Sequence, residues 1–345
     1  KAEAAFLAAF NGKHLHHGWL VTGPRGVGKA TLAWKIARFL LATPDDDGGM
    51  FAAPRPQDLD IPDSHPVAHR LAALTESRLF LLRRPYDEKA ARLKQDITVD
   101  EVRKMKSFFA LSAADGGRRV AIIDSIDEMN VSAANALLKL LEEPPARVTI
   151  LMISHQPAKL LPTIRSRCRE LRLGALSPQD LSEALTQAGG EVAASEATAL
   201  AELAGGSVGE AFRMTNLDGL RHYEALISLF ATLPRLDRPR ALSFAEKSAG
   251  KGAEAQFDLS VTLLDLFLAR LARAGTLQLL PPEAARGEAD LIARLSPSPY
   301  QAREWADAAQ HLGLRARKAR AVNLDPAALL MDMLLHINET SARLA

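Results

Sequence analysis

The nine residues "GPRGVGKAT", Gly23 to Thr31, hold three glycines and a lysine at a spacing that suits phosphate. Successive backbone N–H groups leading into a helix converge on an anion, and a lysine adds a point charge. Gly23, Gly26, Gly28 and Lys29 supply those parts. The pattern G-x-x-x-x-G-K-[ST] fails only at its last place, where Ala30 stands instead of the hydroxyl that would ligate magnesium. Thr31 does not simply replace it, because one helical residue turns the side chain by about 100°. Contact with a phosphate and packing at the helix start both stay open to Thr31.

A second set of acids lies in "IIDSIDEMN", Ile122 to Asn130. Asp124 falls where the magnesium-associated acid of a nucleotide site belongs, whereas Ser125 occupies the place of a glutamate that would orient an attacking water. Asp127 and Glu128 lie at other angles along the chain and receive no catalytic role. His14, His16 and His17 of "HLHH" precede the first apolar run, and their position favours packing or a nucleotide edge over a metal.

These residues need a scaffold. "GWLVTG", Gly18 to Gly23, is a short apolar run before the glycine loop, and "KATLAWKIARFLLA" after it has helical spacing. "RVAIID", Arg119 to Asp124, and "VTILMIS", Val148 to Ser154, read as further buried strands. Continuous apolar strands separated by helical sequence predict an α/β fold with a parallel sheet covered on both faces. Thr43 to Pro66, rich in proline, glycine and aspartate, reads as a loop or insertion. From Ser177 onward the strands stop and amphipathic helices take over, with caps and glycines as punctuation. Three domains are expected: a P-loop domain over 1–174, a small helical domain over 175–217 and a helical domain over 218–345.

Composition narrows the function classes. At 345 residues, 48% hydrophobic and 24% charged, the chain has enough apolar sequence for a buried core and is far from a disordered composition. Forty-three basic residues against 41 acidic ones leave a net charge of +2, so any contact with nucleic acid must be local. The single cysteine, Cys168, excludes internal disulfides and suits a reducing cytosol. No apolar run approaches a membrane span, and the first residues lack a secretion signal, so a cytoplasmic location is expected.

The stretches "ANALLKLLEEPP", Ala134 to Pro145, and "LLPTIRSRC", Leu160 to Cys168, together with "IIDSIDEMN", resemble the clamp-loader branch of AAA+ proteins. The resemblance runs from "LHHGWLVTGP" to "NLDPAALLMDMLL", nearly the whole chain. It implies a P-loop AAA+ domain, a helical lid and a C-terminal all-α collar in which subunits pack in a ring. It also implies gamma/tau and delta subunits as partners, with a sliding clamp and primed DNA reached through the complex.

The same resemblance makes Arg167 of S-R-C an arginine finger acting in trans on a neighbour's ATP. A planar, permanently charged fork suits charge developing on a transferred phosphoryl group. The competing reading of "RSRCRELR" is a solvated basic edge, in which a strand-like segment points Arg165, Arg167 and Arg169 the same way. Active relatives carry a sensing arginine in G-S-x-R-[DE]-A, but here "GSVGEA" has Gly209 in its place. Ala30, Ser125 and Gly209 together argue against turnover, leaving a loop for ATP or ADP formed by Gly23, Gly26, Gly28, Lys29, Thr31 and Asp124.

Many members carry a four-cysteine zinc module after the first helix; this chain has no cysteine there, so thiolate-bound zinc is excluded. Cys168 reads as a packed small side chain. Arg315, Arg317, Lys318 and Arg320 read as a solvated helix face. The rival readings are an active AAA+ ATPase, either gamma-like or a recombination remodeller, and a freestanding nucleotide sensor that would not need Arg167.

Overall fold

The computed structural model describes residues 1–12, 15–44, 55–88, 92–110, 117–190, 192–193, 195–250, 252–321 and 324–345. His14 and the 45–54 part of the expected insertion lie outside the described residues. The chain divides into two compact units, residues 1–175 and 176–345.

Alternation along the apolar strands builds the first unit. Its elements are α1 (Ala2–Phe10), β1 (Gly18–Thr22), α2 (Lys29–Ala42), α3 (Pro66–Ala72), β2 (Leu79–Leu82), β3 (Tyr86–Asp87) and β4 (Arg92–Leu93). There follow α4 (Val99–Ala110), β5 (Arg119–Asp124), α5 (Val131–Glu142), β6 (Val148–Ser154), α6 (Pro162–Arg165) and β7 (Arg169–Arg172). Strands β2, β5, β6, β1 and β7 form a five-stranded sheet in that order, every pair parallel.

Successive strand residues point to opposite faces. Trp19, Val21, Val120, Ile122, Leu151 and Ile153 therefore enter one core with Leu32, Ile36, Phe39 and Leu40 of α2. Leu20, Ala121, Ile123, Ile150 and Met152 enter the other, with Val102 and Met105 of α4 and Leu137 and Leu140 of α5. Burying each such aliphatic side chain contributes about 1.5–3 kcal/mol, which is why three strands read as unbroken apolar runs. Both faces are covered, as the sequence predicts.

Part of the expected loop is tied to this core. Leu59 is buried, Asp60 pairs with Lys35 at 2.8 Å, Asp63 pairs with Arg38 at 2.7 Å, and the Asn11 amide donates to the Pro56 carbonyl at 2.9 Å.

The second unit is helical: α7 (Pro178–Gln187), α8 (Ala197–Ala204), α9 (Val208–Asn216), α10 (Gly219–Phe230), α11 (Arg238–Ser248), α12 (Glu254–Leu277), α13 (Glu288–Leu295), α14 (Pro299–Ala321) and α15 (Pro326–Leu344). Side chains of Ser177, Ser207, Asp237 and Asp325 accept from backbone N–H groups in the first turns of their helices, satisfying otherwise orphaned donors. One hydrophobic cluster runs from Leu181 to Ile337. Within it, Arg270 of α12 holds Glu288 at 2.7 Å and Glu202 at 3.0 Å, and Tyr223 donates to Glu288. Such a buried charge is tolerated because it is paired and hydrogen-bonded. No helix among the described residues is long and apolar enough to cross a membrane.

Candidate functional site

The strand register brings the chemistry to one edge of the sheet. Thr22 pairs with Ser154 and Asp124 with Ile153, so β1, β5 and β6 end side by side. Ligands of open α/β sheets bind outside these carboxyl ends.

Beyond Thr22 the backbone turns through three positive-φ glycines: Gly23 at +145°, Gly26 at +75° and Gly28 at +88°. At Gly23 the glycine is doubly required, because a Cβ there would meet the Leu173 carbonyl oxygen at 2.3 Å. Gly28 caps α2 from the left-handed region, and nothing lies within 4 Å of the position a Cβ would take. The loop thus reaches the N-terminus of a 14-residue helix.

Lys29 is buried at 3% exposure and turns onto the loop itself, donating from Nζ to the Gly23 carbonyl at 2.8 Å and to that of Pro24. Burial lowers its pKa below the usual lysine value, against the opposing pull of Asp127. Ala30 is half-buried and Thr31 exposed on the first turn of α2. The glycine turn, the start of α2 and Lys29 thus lie together at the carboxyl end of β1. Magnesium finds no side-chain oxygen at position 30.

Asp124 ends β5, and Ser125 after it is 3% exposed with its Oγ buried and without a hydrogen-bond partner. The two further acids have structural partners. Asp127 Oδ1 accepts from Ser154 Oγ at 2.7 Å, and its Oδ2 accepts from the His155 backbone N–H, fixing the end of β6. Glu128 pairs with Arg84 at 3.0 Å. His155 joins this edge although the sequence reading passed it over; the only available signal was its place directly after a central parallel strand.

The "RSRCR" segment differs from the strand-like reading. Pro162 pre-sets a helical turn, so Arg165 ends α6 and Arg167 lies in the turn after it; only Arg169 belongs to a strand. The three arginines consequently have different surroundings. Arg167 Nη2 is 3.0 Å from Glu142 Oε1, and its Nη1 donates to the Thr163 carbonyl at 3.0 Å. Arg169 lies over the Trp19 ring at 5.8 Å, and Arg165 is exposed. Cys168 donates from Sγ to the Ile164 carbonyl at 3.0 Å, and burial pushes its thiol up to about 12, which makes it inert at neutral pH.

His16 and His17 stack at 4.5 Å, and His17 Nε2 meets the Leu141 carbonyl at 2.9 Å, a packing arrangement. Among the described residues no group of three or more His, Cys, Asp or Glu side chains is placed to hold a metal. In the second unit Gly209 is exposed in the first turn of α9, where Glu210 and Arg213 pair at 2.7 Å. Arg315 on α14 pairs with Asp332 at 2.8 Å, while Arg317 and Lys318 are exposed, as expected of a solvated face; the side chain of Arg320 lies outside the description.

Residues 1–177 match the family model described as DNA polymerase III, delta subunit. DNA polymerase III subunit delta' of Pseudomonas aeruginosa is 38% identical over 167 residues, which span 48% of this chain and 46% of that protein. The delta' subunit of Escherichia coli is 29% identical over 299 residues, 86% of this chain and 82% of that one. DNA polymerase III subunit tau of Salmonella typhimurium is 31% identical over 256 residues, covering 71% of this chain but 36% of its own length. With its phosphate loop, its "NALLKLLEEPP" helix and its S-R-C turn all inside the matched half, the chain belongs to the DNA polymerase III, delta subunit, family.

Proposed function

We propose that the chain serves as the non-hydrolysing delta-prime subunit of a clamp-loader complex within the DNA polymerase III holoenzyme. It holds ATP or ADP at Gly23, Gly26, Gly28 and Lys29, with Thr31 and Asp124 at the margin, without turning it over. Through Arg167 it completes the ATP site of a neighbouring gamma/tau subunit. Gamma/tau and delta are its direct partners; sliding clamp and primed DNA are reached through the assembly, in the cytoplasm. Residues 175–217 act as the lid and 218–345 as the collar.

One observation carries this reading. The loop keeps its full backbone geometry and its lysine, while the residue that should offer magnesium an oxygen is Ala30. Ser125 and Gly209, each without the side chain that turnover requires, support it. In phosphoryl transfer, catalysis is positioning and charge stabilisation, so a site lacking metal ligand, water-orienting acid and sensing arginine binds without reacting.

Steady-state phosphate release by the isolated chain tests the reading. It predicts no turnover above background. A rate near the enzyme median of about 10 s⁻¹, abolished by Lys29→Ala, would establish the active-ATPase alternative instead.

A further inference from the structure

Helix α5 and the S-R-C turn meet at the start of β1. Gly18 makes room for both, because a Cβ there would lie 3.1 Å from Leu141 Cδ2, 3.3 Å from the Arg167 carbonyl oxygen and 3.6 Å from Cys168 Sγ. His17, one residue earlier, donates from Nε2 to the Leu141 carbonyl at 2.9 Å, since a carbonyl only accepts. The turn is closed by its own backbone, from the Arg167 N–H to the Ile164 carbonyl at 3.1 Å and from the Cys168 N–H to that of Arg165 at 3.3 Å. The backbones that carry Glu142 and Arg167 are therefore placed by the fold and not by the ion pair between them.

That placement singles out one arginine. Of Arg165, Arg167 and Arg169, only Arg167 meets a carboxylate among the described residues, with Glu142 Oε1 3.0 Å from its Nη2. On the other arm of the fork, Nη1 donates to the Thr163 carbonyl at 3.0 Å and lies 3.4 Å from Ser166 Oγ. A guanidinium has five N–H donors, so these contacts leave it capacity for a second anion. Glu143, the next residue along, is exposed and forms no ion pair among the described residues.

We propose that Glu142 is a positioning residue for Arg167, holding the guanidinium fork ready for the phosphate of a nucleotide bound by a neighbouring subunit. The inference rests on the reading of Arg167 as acting in trans. A free arginine loses rotamer freedom when it reaches a ligand, and one already held at both arms loses less. Charge on the transferred phosphoryl group develops in the transition state, so a fork held in advance raises the rate more than it raises affinity for the ground state. Glu142 itself touches no nucleotide in this arrangement; its effect passes wholly through Arg167.

The DNA- and clamp-stimulated ATPase of complexes assembled from gamma/tau, delta and this chain tests it, with Glu142→Ala, Glu143→Ala, Arg167→Ala and the double variant of Glu142→Ala with Arg167→Ala. Glu142→Ala should lower kcat about two- to fivefold, the size that an exposed ion pair allows, and leave the KM for ATP within about twofold. Glu143→Ala should do neither. In the Arg167→Ala background, removing Glu142 should cost nothing further, an outcome that a general loss of structure or of negative charge would not produce. Glu142→Gln keeps an acceptor oxygen at the same reach and should recover part of the loss. With Arg167→Ala lowering the rate, an unchanged or raised kcat in Glu142→Ala, an equal loss from Glu143→Ala, or a further loss in the double variant would overturn the role of Glu142 and leave that of Arg167 standing. No effect of Arg167→Ala would overturn both.

Discussion

Arg167 Nη2 and Glu142 Oε1 are 3.0 Å apart, a pair that links the last residue of α5 to the turn after α6. Their side chains are 38% and 48% exposed. An ion pair this accessible contributes roughly 0–1 kcal/mol, so it orients the guanidinium without committing it. Breaking this pair would therefore cost Arg167 little.

Glu142→Gln should accordingly leave the fold almost untouched, with a change in unfolding free energy below about 1 kcal/mol by urea titration. A loss several times larger would mean that the pair is a structural tie and that Arg167 is not available to another chain.

Gly23 and Gly28 separate steric need from backbone need. At Gly23 an alanine Cβ would collide with the Leu173 carbonyl and also sit at a φ of +145°, whereas at Gly28 only the φ of +88° opposes it. Strain of that kind costs on the order of 1–3 kcal/mol per residue, and overpacking adds to it. Thermal melts should show Gly23→Ala distinctly less stable than Gly28→Ala; equal losses would place the loop's backbone differently from the description above.

His222 on α10 makes stability depend on pH. Its Nε2 meets Ser260 Oγ at 2.7 Å, its ring stacks on Phe244 at 4.7 Å, and burial pushes its pKa down to about 4 against a partial opposition from Asp218. The unfolded chain binds this proton near pH 6.5 and the folded chain only near 4. Between those values the unfolded state holds more protons, so the contribution is full above pH 6.5 and is lost as pH falls toward 4. Denaturant titrations at a series of pH values should show a loss on the order of 1–3 kcal/mol across that window. His222→Gln should flatten this arm; a variant that loses stability along the same curve as wild type would remove His222 as its cause.

The elements that position the loop were legible because their burial is uniform. Strands β5 and β6 and helix α2 coincide with the apolar runs and the helical spacing that predict them. Strand β7, legible only as the end of the strand-like "RSRCRELR", gives no apolar signal because it is an edge strand: "RELR" buries Leu171 and exposes its charged residues. Strand β2 is a four-residue segment that length alone does not distinguish from a helical turn. The "RSRCR" turn was misread as strand because its alternating charges mimic period two, while Pro162 starts a helix. Within the site, glycine positions and Lys29 could be read from spacing. The bonds that Asp127 accepts from Ser154 and from the His155 backbone could not, since they arise from the register of β6 against β1 and β5, a tertiary fact.

The most direct measurement is the DNA- and clamp-stimulated ATPase of complexes assembled from gamma/tau, delta and this chain carrying Arg165→Ala, Arg167→Ala or Arg169→Ala. The three arginines are neighbours in sequence, yet one ends a helix, one sits on the Glu142-bound turn and one lies over Trp19. A finger acting on a neighbour's phosphate can be worth about 10³–10⁵ in rate at the site it completes. The account predicts that assembly survives all three substitutions and that Arg167→Ala alone markedly lowers the stimulated rate, with Arg167→Lys rescuing poorly because it loses the two-donor fork. Equal effects from the three, or none from Arg167→Ala, would contradict it.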